Sequence, residues 1–243
     1  MILVFGGTTE GRKTMALLEQ AGLRYCYSTK TEVEMPAQTC GSYRHGAMSH
    51  GDLREFCESN SVRVIVHAGH PFAVELHETI AGAGLPVLRF ERAYPVRMAH
   101  ALVHYFDDYV EVIAYLLAHP VRRLLALTGV QTIDRLKGYW TQHPVVFRIL
   151  PRKSSLEMAR RTGFPEELLI REMPGNEAEL IQQYGITGIL TKESGESGLL
   201  SVKISEALAA GIPIFIIRRP VMPVGFVPVG EEDLLTELNK HLV

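Results

Sequence analysis

Residues 1–22 read MILVFGGTTEGRKTMALLEQAG, an apolar run, a glycine-rich turn and an amphipathic segment in unbroken succession. Ile2 to Phe5 is short and apolar and is closed by Gly6-Gly7, the pattern of a strand buried on both faces of a parallel sheet. From Glu10 the period changes: Met15 and Leu18 share a stripe, and Gly22 stands where a helix would stop. The predicted unit is strand, phosphate loop, helix. Gly6, Thr8 and Gly11 occupy the three glycine positions of a dinucleotide fingerprint, here G-x-T-x-x-G. A tight turn followed by free amides at a helix N-terminus makes a pocket for a phosphate, to which Thr8 and Thr9 add hydroxyls and Arg12 a charge. The competing reading is a glycine turn that merely reverses the chain.

The 243 residues are 47% hydrophobic and 21% charged, enough to bury a sizeable core in one or two domains of a soluble protein. A formal net charge of −2 gives no basic field for nucleic acid, so any anionic ligand has to be met by local clusters. No run approaches the roughly 20 apolar residues of a membrane span, and no basic leader precedes the first strand; a cytoplasmic protein without a membrane partner is expected. Cys26, Cys40 and Cys57 lack C-x-x-C spacing, which fits reduced thiols better than disulfides or zinc.

Farther along, Leu23 to Ser28 alternates as a second strand and ends in Ser28-Thr29-Lys30. An NAD site usually has an acidic residue here; hydroxyls and a lysine suit a ribose phosphate, so NADPH is favoured, with NADH left open by the nearby Glu32 and Glu34. Val62 to Val66 is the next buried strand and runs into His67-Ala68-Gly69-His70-Pro71-Phe72-Ala73. Ligands of open α/β sheets bind beyond such strand ends. His67 and His70 lie on a loop with no third ligand nearby, so no metal site is expected. Pro86 to Leu88 delivers Arg89-Phe90-Glu91-Arg92 to another strand end.

The domain boundary is placed after Pro95, giving domains of 1–95 and 96–243. A helix over 108–118 precedes a second α/β series: strand 124–127 into Thr128-Gly129, helix to about Tyr139, strand 145–150, helix 154–161, strand 168–170, helix 177–184, strand 186–190. Thr191-Lys192-Glu193-Ser194-Gly195-Glu196-Ser197-Gly198 is again a glycine-containing loop before a helix (199–210), without the Walker spacing. Strand 212–217 ends in Arg218-Arg219-Pro220, and a helix over 231–242 closes the chain. The expected fold class is α/β: two Rossmann-like domains with mainly parallel sheets and a cofactor and substrate cleft between them.

Taken in order, GGTTEGR (6–12), HPFA (70–73), RFER (89–92), Thr128-Gly129, TKESG (191–195) and GIPIFIIRRP (211–220) make a set that resembles the precorrin-6A reductase family of cobalamin biosynthesis. The resemblance covers nearly the whole chain. It implies an NADPH-dependent enzyme, in some members NADH-dependent, that reduces a ring double bond of precorrin-6A or its cobalt form to the 6B intermediate. By this match Gly6, Gly7, Thr8, Glu10 and Arg12 form the cofactor loop; Thr9, Ser28, Thr128 and Gly129 are the further residues expected at the cofactor. Lys192, Ser194 and Gly195 match the TKxSG motif. His67-Ala68-Gly69 stands where the family commonly has Asp-Ala-Thr, Ala93-Tyr94 replaces an expected Pro, and a Gly-Pro-Phe motif is matched only in part, by Pro174-Gly175.

The substrate implied is a tetrapyrrole polycarboxylate. Arg89, Arg92, Ser194, Arg218 and Arg219 are its expected contacts, the arginines anchoring acetate and propionate groups or cofactor phosphates. Lys192 and His70 are the side chains with protons to give, water is a third source, and Lys192 fits an electrostatic anchor better than a catalytic acid. A non-catalytic NADPH sensor or a tetrapyrrole carrier is the alternative, although it would not need basic motifs at several strand ends. A short-chain dehydrogenase is set aside because no Tyr-x-x-x-Lys occurs. Oligomeric state is not legible.

Overall fold

The structure, a computed structural model, describes residues 1–242. In chain order the elements are β1 (Ile2–Phe5), α1 (Thr9–Gln20), β2 (Tyr25–Thr29), β3 (Gly41–His45), α2 (His50–Ser59), β4 (Val64–His67), α3 (Val74–Ala81), β5 (Val87–Phe90), β6 (Val103–Phe106), α4 (Tyr109–Ala118), β7 (Leu124–Ala126), α5 (Lys137–Trp140), β8 (Val145–Ile149), α6 (Lys153–Arg161), β9 (Leu169–Arg171), α7 (Glu177–Tyr184), β10 (Gly188–Lys192), α8 (Leu200–Ala209), β11 (Ile214–Ile217), β12 (Phe226–Val229) and α9 (Leu234–Leu242). They form two units. Unit 1 holds Met1–Ala93 together with the chain from Pro220 onward, and unit 2 holds Tyr94–Arg219.

Unit 1 is built on one parallel six-stranded sheet of order β12-β5-β4-β1-β2-β3. Its strands are apolar on both sides because helices cover both sides. Ile2, Val4, Tyr27, Val64 and Val66 pack with Met15 and Leu18 of α1 and Leu234 and Leu238 of α9. The alternate residues Leu3, Phe5, Cys26 and Ile65 pack with Leu53 and Cys57 of α2 and Ile80 of α3. Local signals place the helix starts: Thr8 caps α1 by accepting the Gly11 amide, and Ser49 with Asp52 forms a reciprocal capping box on α2.

Unit 2 repeats the plan with order β6-β11-β10-β7-β8-β9, again parallel. Leu125, Val146, Ile189, Ile214 and Ile216 pack with Leu180 of α7 and Leu200, Ile204 and Ala207 of α8. Phe215, between two of those positions, meets Tyr115 of α4 instead.

Two sequence expectations are corrected here. The C-terminal domain does not run to the end of the chain: β12 pairs with β5, and α9 completes the unit 1 core. Three strands also lacked a readable pattern, β3, β6 and β12, and all three are outermost in their sheets. With one flank in solvent they need little apolar alternation; Pro228 is tolerated in β12 for the same reason. The helix expected up to Tyr139 is instead two 3-10 turns, Val130–Thr132 and Asp134–Leu136, followed by the short α5. Thr132 Oγ1 donates to the Gly129 carbonyl at 2.7 Å, a local bond that competes with helix continuation.

Because Leu238 is fully buried in the unit 1 core, Leu238→Ala should destabilise that unit by about 2–5 kcal/mol. Hydrogen exchange would report it as faster exchange in β1, β4 and β5 with β7, β8 and β10 unchanged. Faster exchange in unit 2 instead would contradict the assignment of α9.

Candidate active site

Each sheet reverses its direction of winding once, between β1 and β4 in unit 1 and between β7 and β10 in unit 2. The loops leaving those strands at their carboxyl ends flank the two crevices in which ligands of open α/β sheets bind.

In unit 1 the loop after β1 is shaped by Tyr27. The Tyr27 hydroxyl accepts the Gly7 amide at 2.8 Å, and its ring lies where a Cβ on Gly6 would be. A Cβ on Gly11 would sit 2.6 Å from that hydroxyl and 2.8 Å from Gly6 Cα, so strand and helix approach as only glycines allow. Gly7 has φ of +87°. Thr8 Oγ1 donates to the Ala68 carbonyl at 2.6 Å and accepts the Gly11 amide at 3.1 Å, joining the loops on both sides of the crevice. Its proton is therefore engaged, contrary to its expected role as a phosphate donor. The amides of Thr8 and Thr9 have no partner among the described residues, and Thr9 and Arg12 are exposed.

Glu10, which would repel a phosphate at this helix end, is only 4% exposed and lies 2.9 Å from Arg92 Nη2. The ion pair neutralises the carboxylate and leaves the positive end of α1 dominant. Arg92 is thus built into the loop after β1, its charge spent on Glu10, contrary to its expected role as a substrate contact. Arg89 is corrected likewise: 1% exposed, it donates from Nη1 to the carbonyls of His67 at 3.1 Å and Gly69 at 2.9 Å and fixes the loop after β4. His70 starts the next turn, its Nδ1 accepting the Phe72 amide at 3.2 Å. His67 and His77 stack edge to face at 5.0 Å. Burial and the Arg89 charge push the His67 pKa well below the usual value and that of His77 down to about 4, so both rings are uncharged at neutral pH.

The end of β2 brings a residue that the sequence did not single out. Arg44, on β3, donates from Nη1 to Ser28 Oγ at 2.7 Å, and Lys30 is exposed alongside. Ser28 itself is 2% exposed. Two free amides, an exposed Thr9 and Arg12 and this basic strand end fit a dinucleotide carrying a ribose phosphate. Arg44 carries no sequence signal because β3, at the edge of its sheet, has no apolar run or alternation to mark it as a strand.

In unit 2, Thr128 is 1% exposed and its hydroxyl bonds Thr132 Oγ1 at 2.6 Å; Gly129 turns the chain at φ of +86°. Thr128 therefore shapes its loop and has no free hydroxyl to present. Across the crevice, Lys192 ends β10 partly buried, its pKa lowered to about 8 by burial and then by Arg135. Ser194 is 7% exposed and packs against Gly198, so it too supports the turn. Glu193, also missed, accepts Arg97 Nε at 2.8 Å and Nη2 at 2.9 Å and the Arg219 amide at 3.0 Å. The Arg219 guanidinium lies 3.5 Å over the Tyr94 ring, and Arg218 pairs with Asp107. Lys203, 4% exposed, donates to the Gly198 carbonyl at 2.6 Å. Its signal was a lysine on the buried stripe of Leu200, Ile204 and Ala207.

A sequence model of the family described as precorrin-6x reductase CbiJ/CobK matches residues 1–239. The chain belongs to that family. It is 28% identical to a cobalt-precorrin-6A reductase of Priestia megaterium over 98% of either chain. It is 30% identical to a precorrin-6A reductase of Rhodococcus erythropolis, over 91% of this chain and 90% of the relative. A solved CobK precorrin-6A reductase shares the fold with a TM-score of 0.81 over 99% of this chain and 97% of its own, at 23% identity. Family membership makes the chain an oxidoreductase. Among the described residues no helix is long and apolar enough to cross a membrane.

Removing Arg92 takes away the cation beside a buried carboxylate, a change that costs about 3–5 kcal/mol. Arg92→Ala should lower the urea midpoint accordingly, whereas Glu10→Gln combined with Arg92→Met should recover most of the loss. Equal destabilisation by both variants would show that charge is not the reason.

Proposed function

We propose that the protein is a cytoplasmic NAD(P)H-dependent reductase that converts precorrin-6A, or its cobalt form, to the 6B form by reducing one ring double bond. The observation that carries this reading is the match to a reductase family over residues 1–239. Free thiols at Cys26, Cys40 and Cys57 accord with a reducing compartment.

Unit 1 takes the dinucleotide. Its pyrophosphate is received by the Thr8 and Thr9 amides with Arg12, in the field of the α1 N-terminus. Arg44, held in place by its bond to the buried Ser28 hydroxyl, and the exposed Lys30 receive a ribose phosphate, which favours NADPH; Ser28 positions Arg44 and does not itself meet the ligand. The nicotinamide, when bound, supplies a hydride. Unit 2 takes the tetrapyrrole at the carboxyl ends of its strands, with Lys192 as an electrostatic anchor for a carboxylate. His67 and His77 stay neutral and only support the loop. The proton for the second ring carbon comes from water rather than from a dedicated acid.

Anaerobic mixing with NADPH and precorrin-6A should bleach the nicotinamide absorbance and shift the tetrapyrrole spectrum together. Binding of both ligands without either change would favour a carrier or sensor. Lys192 carries its charge below about pH 8 and loses it above, so KM for the tetrapyrrole should rise across that pH and Lys192→Arg should move the rise upward. A charged hydrogen bond contributes about 1.5–3 kcal/mol, so Arg44→Ala should weaken NADPH roughly tenfold or more in a fluorescence titration and leave NADH unaffected. Equal weakening of both would place Arg44 outside the phosphate subsite.

A further inference from the structure

If the tetrapyrrole is the substrate, its several carboxylates need cations, and four of the arginines expected to meet them are otherwise engaged. Arg89 and Arg92 have side chains 2% and 5% exposed. Arg218 is paired with Asp107 and Arg219 lies over Tyr94.

Unit 2 contains a pocket of about 280 Å³ lined by Pro151, Arg152, Lys153, Leu156 and Arg171. It lies where the neighbouring strands β8 and β9 end, Ile149 pairing with Arg171 across them. The three cationic side chains are exposed and stand over an apolar Pro151 and Leu156. Arg152 has no ion pair among the described residues, and Lys153 has only a loose, exposed contact with Glu157 at 3.9 Å. Glu166, the acid in the field of Arg171, is already gripped by Arg160 at 2.6 Å. The helix α6 begins at this pocket with no acidic residue in its first turn and no side-chain cap. Two cations at the positive end of a helix repel it and each other, and an anion relieves both.

We propose that this pocket is a substrate subsite that receives peripheral carboxylates of the tetrapyrrole, an inference that rests on the reductase reading above. Carboxylates dock on the guanidinium forks of Arg152 and Arg171 and the Lys153 ammonium, and the apolar Pro151 and Leu156 accept the methylene arms. Its place fits. In the order β9-β8-β7-β10, the ends of β9 and β10 are three strand spacings apart, about 14 Å. A tetrapyrrole with extended acetate and propionate arms spans a comparable distance, so one substrate can engage Lys192 and this pocket at once. The subsite reads the rim of the macrocycle and takes no part in hydride transfer.

The test is equilibrium titration of the full chain with precorrin-6A in the absence of nicotinamide, followed by tetrapyrrole absorbance, and separately with NADPH alone, followed by its fluorescence. The triple variant Arg152→Ala, Lys153→Ala, Arg171→Ala should raise the tetrapyrrole Kd about tenfold with NADPH binding unchanged. Added salt should weaken the unaltered protein more than the variant. The single reversal Lys153→Glu, at a fully exposed position, should act in the same direction and guards against a folding defect in the triple variant. An unchanged tetrapyrrole Kd overturns the proposal, as does a rise in the NADPH Kd instead, which would assign the pocket to a nucleotide phosphate. Failure of the unaltered protein to bind the tetrapyrrole would overturn the reductase reading itself, and is told apart because it requires no variant.

Discussion

The closeness of Gly6 and Gly11 above the Tyr27 ring is the constraint from which the rest of unit 1 follows. A single Cβ at either glycine would collide with Tyr27, so β1 and α1 meet at backbone contact. That contact directs the first amides of α1 outward at the switch point of the sheet. It also lets Thr8 reach across to the Ala68 carbonyl, which sets the loop after β4 against the loop after β1. A bulkier pair would separate the two loops and leave a helix end with no crevice before it.

Buried charge fixes the loops that glycine leaves free to move. Arg89 binds the carbonyls of His67 and Gly69, Arg92 neutralises Glu10, Glu193 gathers Arg97 and the Arg219 amide, and Lys203 holds the Gly198 carbonyl. Arg148 and Glu177 make a further pair at 2.7 Å, both under 8% exposed. Such interactions add little net stability when compared with apolar packing, but losing one partner is expensive. They hold each loop in one arrangement, as a site that must align two reactants requires. Tyr94 and Arg219, stacked on each other, mark where the chain enters and leaves unit 2.

The chain supplies the sixth strand of each sheet out of sequence. β12, from the C-terminal segment, completes the sheet begun by β1, and β6, which precedes β7, completes the second. Both units thereby attain the same doubly wound order, with one switch point each. The edge positions of β3, β6 and β12 explain why their sequences look like loops, and why Arg44 on β3 escaped notice.

The sequence by itself determined the central strands, the helices with capping signals, the two glycine-containing loops at strand ends and the family to which they belong. Those features are local: a buried parallel strand is a continuous apolar run, and a helix start is a few residues of capping chemistry. Tertiary structure decided which polar groups remain available. Thr8, Thr128, Arg89 and Arg92 have the residue types of ligand contacts, yet packing turns each toward a carbonyl, a hydroxyl or a carboxylate of its own unit. Arg152, Lys153 and Arg171 carry no motif, and only the adjacency of β8 and β9 brings them to one pocket. A motif specifies chemistry, whereas availability depends on which distant partner arrives within hydrogen-bond distance, and that is set by the strand order.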